Sequence, residues 1–215
     1  MTEPKMNETN SENARLNRVE AAISAFQRGE FVVVADDTGR ENEGDLIARA
    51  DRMTPAAMAF LVRHSSGLVC VAMTGERLDA LGLPLMVAKN TESHETAFTI
   101  SVDFKVGTTT GISAADRSAT MRALADPSVP ADQFARPGHV FPLRAKPGGV
   151  LTRRGHTEAA LDLARLSGAE PAGVLCEIVN DDGSMARGPE LVTFAERHGL
   201  VFLTIDDLAF FLRRQ

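Results

Sequence analysis

The chain runs FVVVA (31–35) straight into DDTGRENEGD (36–45) and out through LIARA (46–50). FVVVA is an unbroken apolar run rich in β-branched valine, the pattern of a strand buried on both faces rather than on one. A second strand over 46–50 would lie beside it. Between them, five of the ten residues from Asp36 to Asp45 are carboxylates, opposed by one base, Arg40. Carboxylates that close raise one another's pKa, bind a cation, or are screened by water.

Outward from this stretch, strands and helices alternate. Leu16, Val19, Ile23 and Phe26 repeat at helical spacing, with Gly29 as the stop. Thr54-Pro55 is an N-cap and first-turn proline for a helix through Val62. Strands are expected over 68–73, 97–103, 139–144, 173–179 and 200–205, and helices over 75–82, 113–124, 157–166 and 189–198, with Asp206 capping a last short helix. Pro142 implies that 139–144 lies at a sheet edge or ends there. Residues 1–12 read as a flexible tail and 13–215 as one domain of α/β (α+β) class, a mixed β-sheet flanked by helices.

Composition narrows the function. The 215 residues are 44% hydrophobic and 24% charged, with net charge -6, which disfavours nucleic-acid and membrane-surface binding. No apolar run approaches the roughly 20 residues that cross a bilayer, and the polar N-terminus lacks the apolar centre of a signal peptide. Cys70 and Cys176 lie in apolar runs and are expected to be buried, reduced thiols of a cytoplasmic protein. Tryptophan and tyrosine are absent, so a polar ligand must be held by charges, hydroxyls and backbone.

Four polar stretches fall where the chain leaves buried strands, the usual position of ligand sites in α/β sheets. In RENEGD (40–45) an extended backbone puts Glu41, Glu43 and Asp45 on one side. Alone, it reads first as a solvated acidic loop; pinned between apolar runs, it suits Mg²⁺ or Mn²⁺. LTRRGHTEA (151–159) turns at Gly155 into a helix, where free N–H groups, arginines and the Thr157 hydroxyl suit a phosphate and His156 suits a metal; a surface capping loop is the plain alternative. GTTTGIS (107–113) is compatible with a backbone phosphate cradle but is more often a turn. His139 in RPGHVFP reads first as a structural histidine. Glu177, a carboxylate inside GVLCEIV, needs a partner or a raised pKa and ranks above the loop acids as a functional group.

Taken together, DDTGRENEGDLI, RHSSGLVC, TTTGISAADR, RPGHVFPLRA, GGVLTRRGHTEAALDLARLSG, PAGVLCEIVNDDGSMAR and FAERHGLVFLTIDDL resemble the 3,4-dihydroxy-2-butanone 4-phosphate synthases of riboflavin biosynthesis, in that family's order. The resemblance implies conversion of D-ribulose 5-phosphate to L-3,4-dihydroxy-2-butanone 4-phosphate and formate through a metal-stabilised enediolate, with Mg²⁺ or Mn²⁺, in a homodimer with shared active sites. It implies Glu41 and His156 as metal ligands. Substrate contacts match Arg40, Glu41, Asp45, Arg153, Arg154, Gly155, His156, Thr157 and Glu177, and His139 and Glu177 match the essential acid–base pair. We assign Asp45 and Glu177 to proton shuttling, His139 to a supporting acid–base role, and Arg153 and Thr157 to the phosphate, with Thr110 a lesser candidate. Glu43 receives no role.

The sequence departs from the family in two places: Thr38-Gly39 replaces acid before RENEGD, which implies a more flexible loop or weaker metal binding with Glu41 retained, and Glu95 stands where glycine is common, which implies an altered loop nearby. A chain ending at 215 leaves no room for a fused GTP cyclohydrolase II domain, so a monofunctional enzyme is expected. Two rivals stay open: another Mg²⁺-dependent sugar-phosphate lyase or isomerase, and an inactive phospho-ligand-binding domain. Retention of Glu41, His139, His156 and Glu177 argues against the second.

Overall fold

The computed structural model describes residues 3–215, with side chains from residue 11 onward. Helix α1 (Glu3–Arg28) leads into β1 (Val32–Ala35), which turns back through β2 (Gly44–Arg49). There follow α2 (Pro55–Arg63), β3 (Cys70–Met73), α3 (Gly75–Ala80), β4 (Val102–Phe104), α4 (Ala114–Ala125), β5 (Phe134–Arg144), α5 (His156–Leu166), β6 (Ala172–Glu177), α6 (Pro189–His198), β7 (Val201–Thr204) and α7 (Ile205–Leu212). Among the described residues seven strands form one mixed sheet in the order β4-β5-β3-β6-β2-β1-β7. No helix of the described residues is long and apolar enough to cross a membrane.

Burial of β1 on both faces follows from FVVVA. Val33 and Ala35 enter one core with α2, α3, α4 and α6, while Val32 and Val34 enter the other with α1, α5 and α7. Each of the three valines gains about 1.5–3 kcal/mol on burial, so the valine run anchors both layers at once. Thr54 and Ser113 cap α2 and α4 as expected, accepting from the N–H groups of Ala57 and Asp116. Cys70 and Cys176 are buried and unbridged.

Four expectations change. Helix α1 begins at Glu3, so most of the segment expected to be a tail has helical backbone; residues 1 and 2 lie outside the described residues. The cap of α7 is Thr204 in a reciprocal box with Asp207, not Asp206. Most of 97–103 pairs only through isolated bridges, and the regular strand starts at Val102. Finally, β5 is interior, between β3 and β4. Phe141 and Ala145 donate toward β3, to Val69 and Met73, whereas Pro142 faces the side where regular pairing with β4 has ended at Val140. On that side its carbonyl accepts from Thr99 N–H and its neighbour Leu143 bridges Phe98, so the missing N–H removes only the reciprocal bond of an isolated bridge.

Candidate active site

The antiparallel register of β2 on β6 sets Asp45 directly opposite Glu177. Two carboxylates in a cross-strand pair repel unless something answers the charge. Glu177 accepts a hydrogen bond from Ser66 Oγ at 2.7 Å. Asp45 is buried, and its Oδ1 has no hydrogen-bond partner among the described residues. Burial pushes Asp45 from the usual carboxylate range up to about 7, with the negative charges of Glu177 and Glu41 adding to the rise against the pull of His156.

The loop after β1 is organised by Asp36, whose side chain is fully buried. It accepts from the backbone N–H groups of Glu41 at 3.1 Å and Glu43 at 2.9 Å, and from Arg40 Nη1 at 2.9 Å. Asp37 closes the turn: its Oδ1 accepts from Gly39 N–H at 2.7 Å, and its carbonyl accepts from Arg40 and Asn42. The loop with Thr38-Gly39 is thus tied from both aspartates. Asn42 sits in the left-handed region at φ 55, and this breaks the alternation expected of RENEGD. Glu41 and Asp45 turn to one cavity, while Glu43 pairs with Arg187 at 2.8 Å.

Helix α5 supplies the opposite wall. Its N-cap, Gly155, makes no side-chain cap, so first-turn N–H groups stay open at the cavity. A Cβ at Gly155 would overlap the Arg153 guanidinium. Arg153 is held by the buried Glu158 at 2.7 Å and by the His94 carbonyl and Thr96 Oγ1. His156 places Nδ1 3.6 Å from Glu41 Oε2 and 3.7 Å from Asp45 Oδ1, and its buried Nε2 has no partner among the described residues. Burial pulls the imidazole down, but the carboxylates of Asp45 and Glu41 outweigh it and raise His156 to about 9; His156 in turn holds Glu41 at about 2. His94 Nε2 flanks Glu41 on its other oxygen at 3.8 Å.

These walls enclose a cavity of about 220 Å³, whose lining includes Arg40, Glu41, Asp45, Arg153, His156, Thr157 and Glu177. Asp36, Glu41 and His156 offer ligand atoms that all lie within 4.8 Å of one another. Ligands on opposite sides of a Mg²⁺ ion are about 4 Å apart, so small side-chain movements let these three share one ion. The set is oxygen-rich with one imidazole, and the partnerless Asp45 Oδ1 and His156 Nε2 are polar atoms that a bound group or water would satisfy.

A model of the 3,4-dihydroxy-2-butanone 4-phosphate synthase family matches residues 20–211. The chain belongs to that family. The 3,4-dihydroxy-2-butanone 4-phosphate synthase of Agrobacterium fabrum is 62% identical over 196 residues, covering 91% of this chain and 92% of that one. The synthase of Syntrophotalea carbinolica is 57% identical over 195 residues, covering 90% and 89%. A crystal structure of a 3,4-dihydroxy-2-butanone 4-phosphate synthase with two magnesium ions superposes with TM-score 0.86 at 52% identity, covering 88% of this chain and 94% of that chain. A cation-free crystal structure of such a synthase gives TM-score 0.86 at 49% identity, covering 92% and 97%.

Against the synthase motifs, four residues are not among those lining this cavity: Gly155, which is the N-cap of α5, and Arg154, Thr110 and His139. Arg154 is ion-paired with Asp206 at 2.9 Å. Thr110 is exposed on the loop after β4, whose other polar groups bind inward: Thr109 and Gly111 donate to Asp116. Two of the amides that GTTTGIS could offer a phosphate, those of Thr109 and Gly111, are taken by Asp116, in keeping with a turn, the commoner reading of such a stretch. His139 is also outside, hydrogen-bonded to Asp103. Asp36, Ser66, Asp103 and Glu158 were missing from the sequence-derived set. Asp36 carried a signal, an acid closing a doubly buried strand; the other three depend on tertiary pairing.

Proposed function

We propose that this chain is a metal-dependent carbon–carbon lyase that converts D-ribulose 5-phosphate to L-3,4-dihydroxy-2-butanone 4-phosphate and formate. The observation that carries the reading is the convergence in one cavity of a Glu41–His156 cation pocket, the Asp45–Glu177 acid pair, and Arg153 at the open N-terminus of α5. Glu41 and His156 would hold Mg²⁺ or Mn²⁺, with Asp36 bracing Glu41 through its backbone and close enough to join them. When bound, the cation supplies positive charge to oxygens that become negative as the sugar is enolised.

The chain's own groups do the rest. Arg153, the α5 amides and the Thr157 hydroxyl bind the phosphate and so orient the sugar. Arg40 lies against Glu41 at 2.7 Å and faces the same cavity, where it contacts substrate oxygens. Several proton transfers are needed, from carbon 3 and at the hydroxyls. A carboxyl held near neutrality, as Asp45 is, both takes and returns a proton at working pH. Glu177, fixed by Ser66 across the strand pair, is its partner in that exchange. The atoms balance: the five-carbon phosphate yields a four-carbon phosphate and formic acid, the water lost in the first stage returning when carbon 4 leaves.

We further propose that the working unit is a homodimer. His139, exposed and outside this chain's cavity, would complete the site of a second copy. The test is formate release from ribulose 5-phosphate with Mg²⁺. Glu41→Ala and His156→Ala are each expected to abolish turnover with the fold intact by circular dichroism. Near-wild-type rates in either variant, or undiminished formate under EDTA, would overturn the assignment.

A further inference from the structure

We propose that Asp103 is a positioning residue for the reaction: it holds His139 with the imidazole proton on Nδ1 and leaves Nε2 free to exchange protons. This rests on the reading that His139 serves the reaction.

The geometry is a two-point grip. Asp103 Oδ1 accepts from the backbone N–H of His139 at 2.8 Å, and Oδ2 lies 2.6 Å from the ring Nδ1. A carboxylate is acceptor-only, so the ring nitrogen facing it must carry the hydrogen. His139 Nε2 has no hydrogen bond among the described residues, and the side chain is 43% exposed. A surface ion pair would fix one atom; here both backbone and ring are fixed to the same carboxylate.

Three segments are shaped around the pair. The β4–β5 ladder slips between Val102, paired with Val140, and Asp103, paired with Ala135, so β5 buckles over residues 136–139 and re-aims His139. Gly138 allows the close crossing: a Cβ there would overlap the Val102–Asp103 backbone, and its N–H donates to Ser101 Oγ at 3.1 Å. From the other side, Gly111 sits at φ 94 against the dyad, where a Cβ would overlap the Asp103 carboxylate and reach 2.8 Å from His139 Nδ1. Asp116 ties Gly111 there by accepting its N–H at 3.1 Å. The glycine-threonine loop is therefore the wall of a histidine–aspartate dyad.

The test uses the full chain with ¹⁵N-labelled histidine. Long-range ¹H–¹⁵N spectra at alkaline pH read the tautomer directly, with His139→Gln identifying the signal. We expect Nδ1–H in the wild type and Nε2–H in Asp103→Asn, whose amide turns a donor toward the ring. With it, kcat for formate is expected to fall by at least about 10- to 100-fold while KM changes less than about 3-fold. Nε2–H in the wild type, an unchanged tautomer in Asp103→Asn, or a moved tautomer with unchanged kcat overturns the proposal; the first outcome needs no variant to fold. His139→Gln with wild-type kcat would instead remove His139 from the reaction, a separate failure that the tautomer result does not share.

Discussion

Replacing Glu158 by glutamine probes how the phosphate end of the site is held. Glu158 is 1% exposed at its side chain, and its two oxygens have two different tasks: one accepts from Arg153 Nη1 at 2.7 Å, the other from Lys146 N–H at 2.9 Å. Glutamine keeps one oxygen and turns the other into a donor, so it must face either the guanidinium or the backbone N–H with hydrogen against hydrogen. Breaking a buried ion pair from one side costs about 3–5 kcal/mol. For a chain of this size each kcal/mol lowers the melting temperature by about 2–4 °C, so a drop of about 10 °C is expected. Arg153 also loses the anchor that aims it, and KM for ribulose 5-phosphate should rise about 10-fold, equivalent to about 1.4 kcal/mol of binding. Thermal melts by circular dichroism and initial rates of formate release read both. A variant that melts within about 2 °C of wild type with an unchanged KM would refute the claim that Glu158 holds Arg153.

Glu95 is exposed yet sits at φ 54, a left-handed conformation that costs a side-chain-bearing residue about 1–2 kcal/mol; glycine relieves this but adds freedom to the unfolded chain. Glu95→Gly should therefore raise the melting temperature by about 2 °C without loss of turnover, and a lower melting temperature would contradict it. Without divalent ions, stability should fall as pH rises from about 6.5 to 9. Asp45 at about 7 and His156 at about 9 are both raised above their unfolded values, so the folded state binds more protons and their stabilisation drains as pH passes each value. Mg²⁺ then gives a larger rise in melting temperature at pH 9 than at pH 6.5, and a larger rise at pH 6.5 would refute the coupling.

FVVVA was readable because a run without polar residues has only one comfortable place in a sheet, between two layers. Two caps were readable for the same local reason, since Thr54 and Ser113 act on their own neighbours, while the cap of α7 fell to Thr204 and not to Asp206. Glu41 and His156 came from family motifs, and the fold brings them to 3.6 Å. What stayed hidden is what register and crossing decide. Nothing local sets Asp45 opposite Glu177, or brings Asp103 under a buckled β5 to His139. Asn42 likewise overturned a simple alternation, because one left-handed residue sends Glu43 to Arg187 and away from the cavity. Pro142 is tolerated in an interior strand for a related reason: beyond Val140 its open side meets an isolated bridge at Phe98 and not a regular ladder.

The central claim is that this cavity removes carbon 4 of a sugar phosphate as formate. Its most direct test is ¹³C NMR of the reaction of the Mg²⁺-loaded protein with [4-¹³C]ribulose 5-phosphate. All label should appear in formate, with none in the four-carbon phosphate. Label retained in the phosphate product, or an isomerised five-carbon sugar with no formate, would contradict the account.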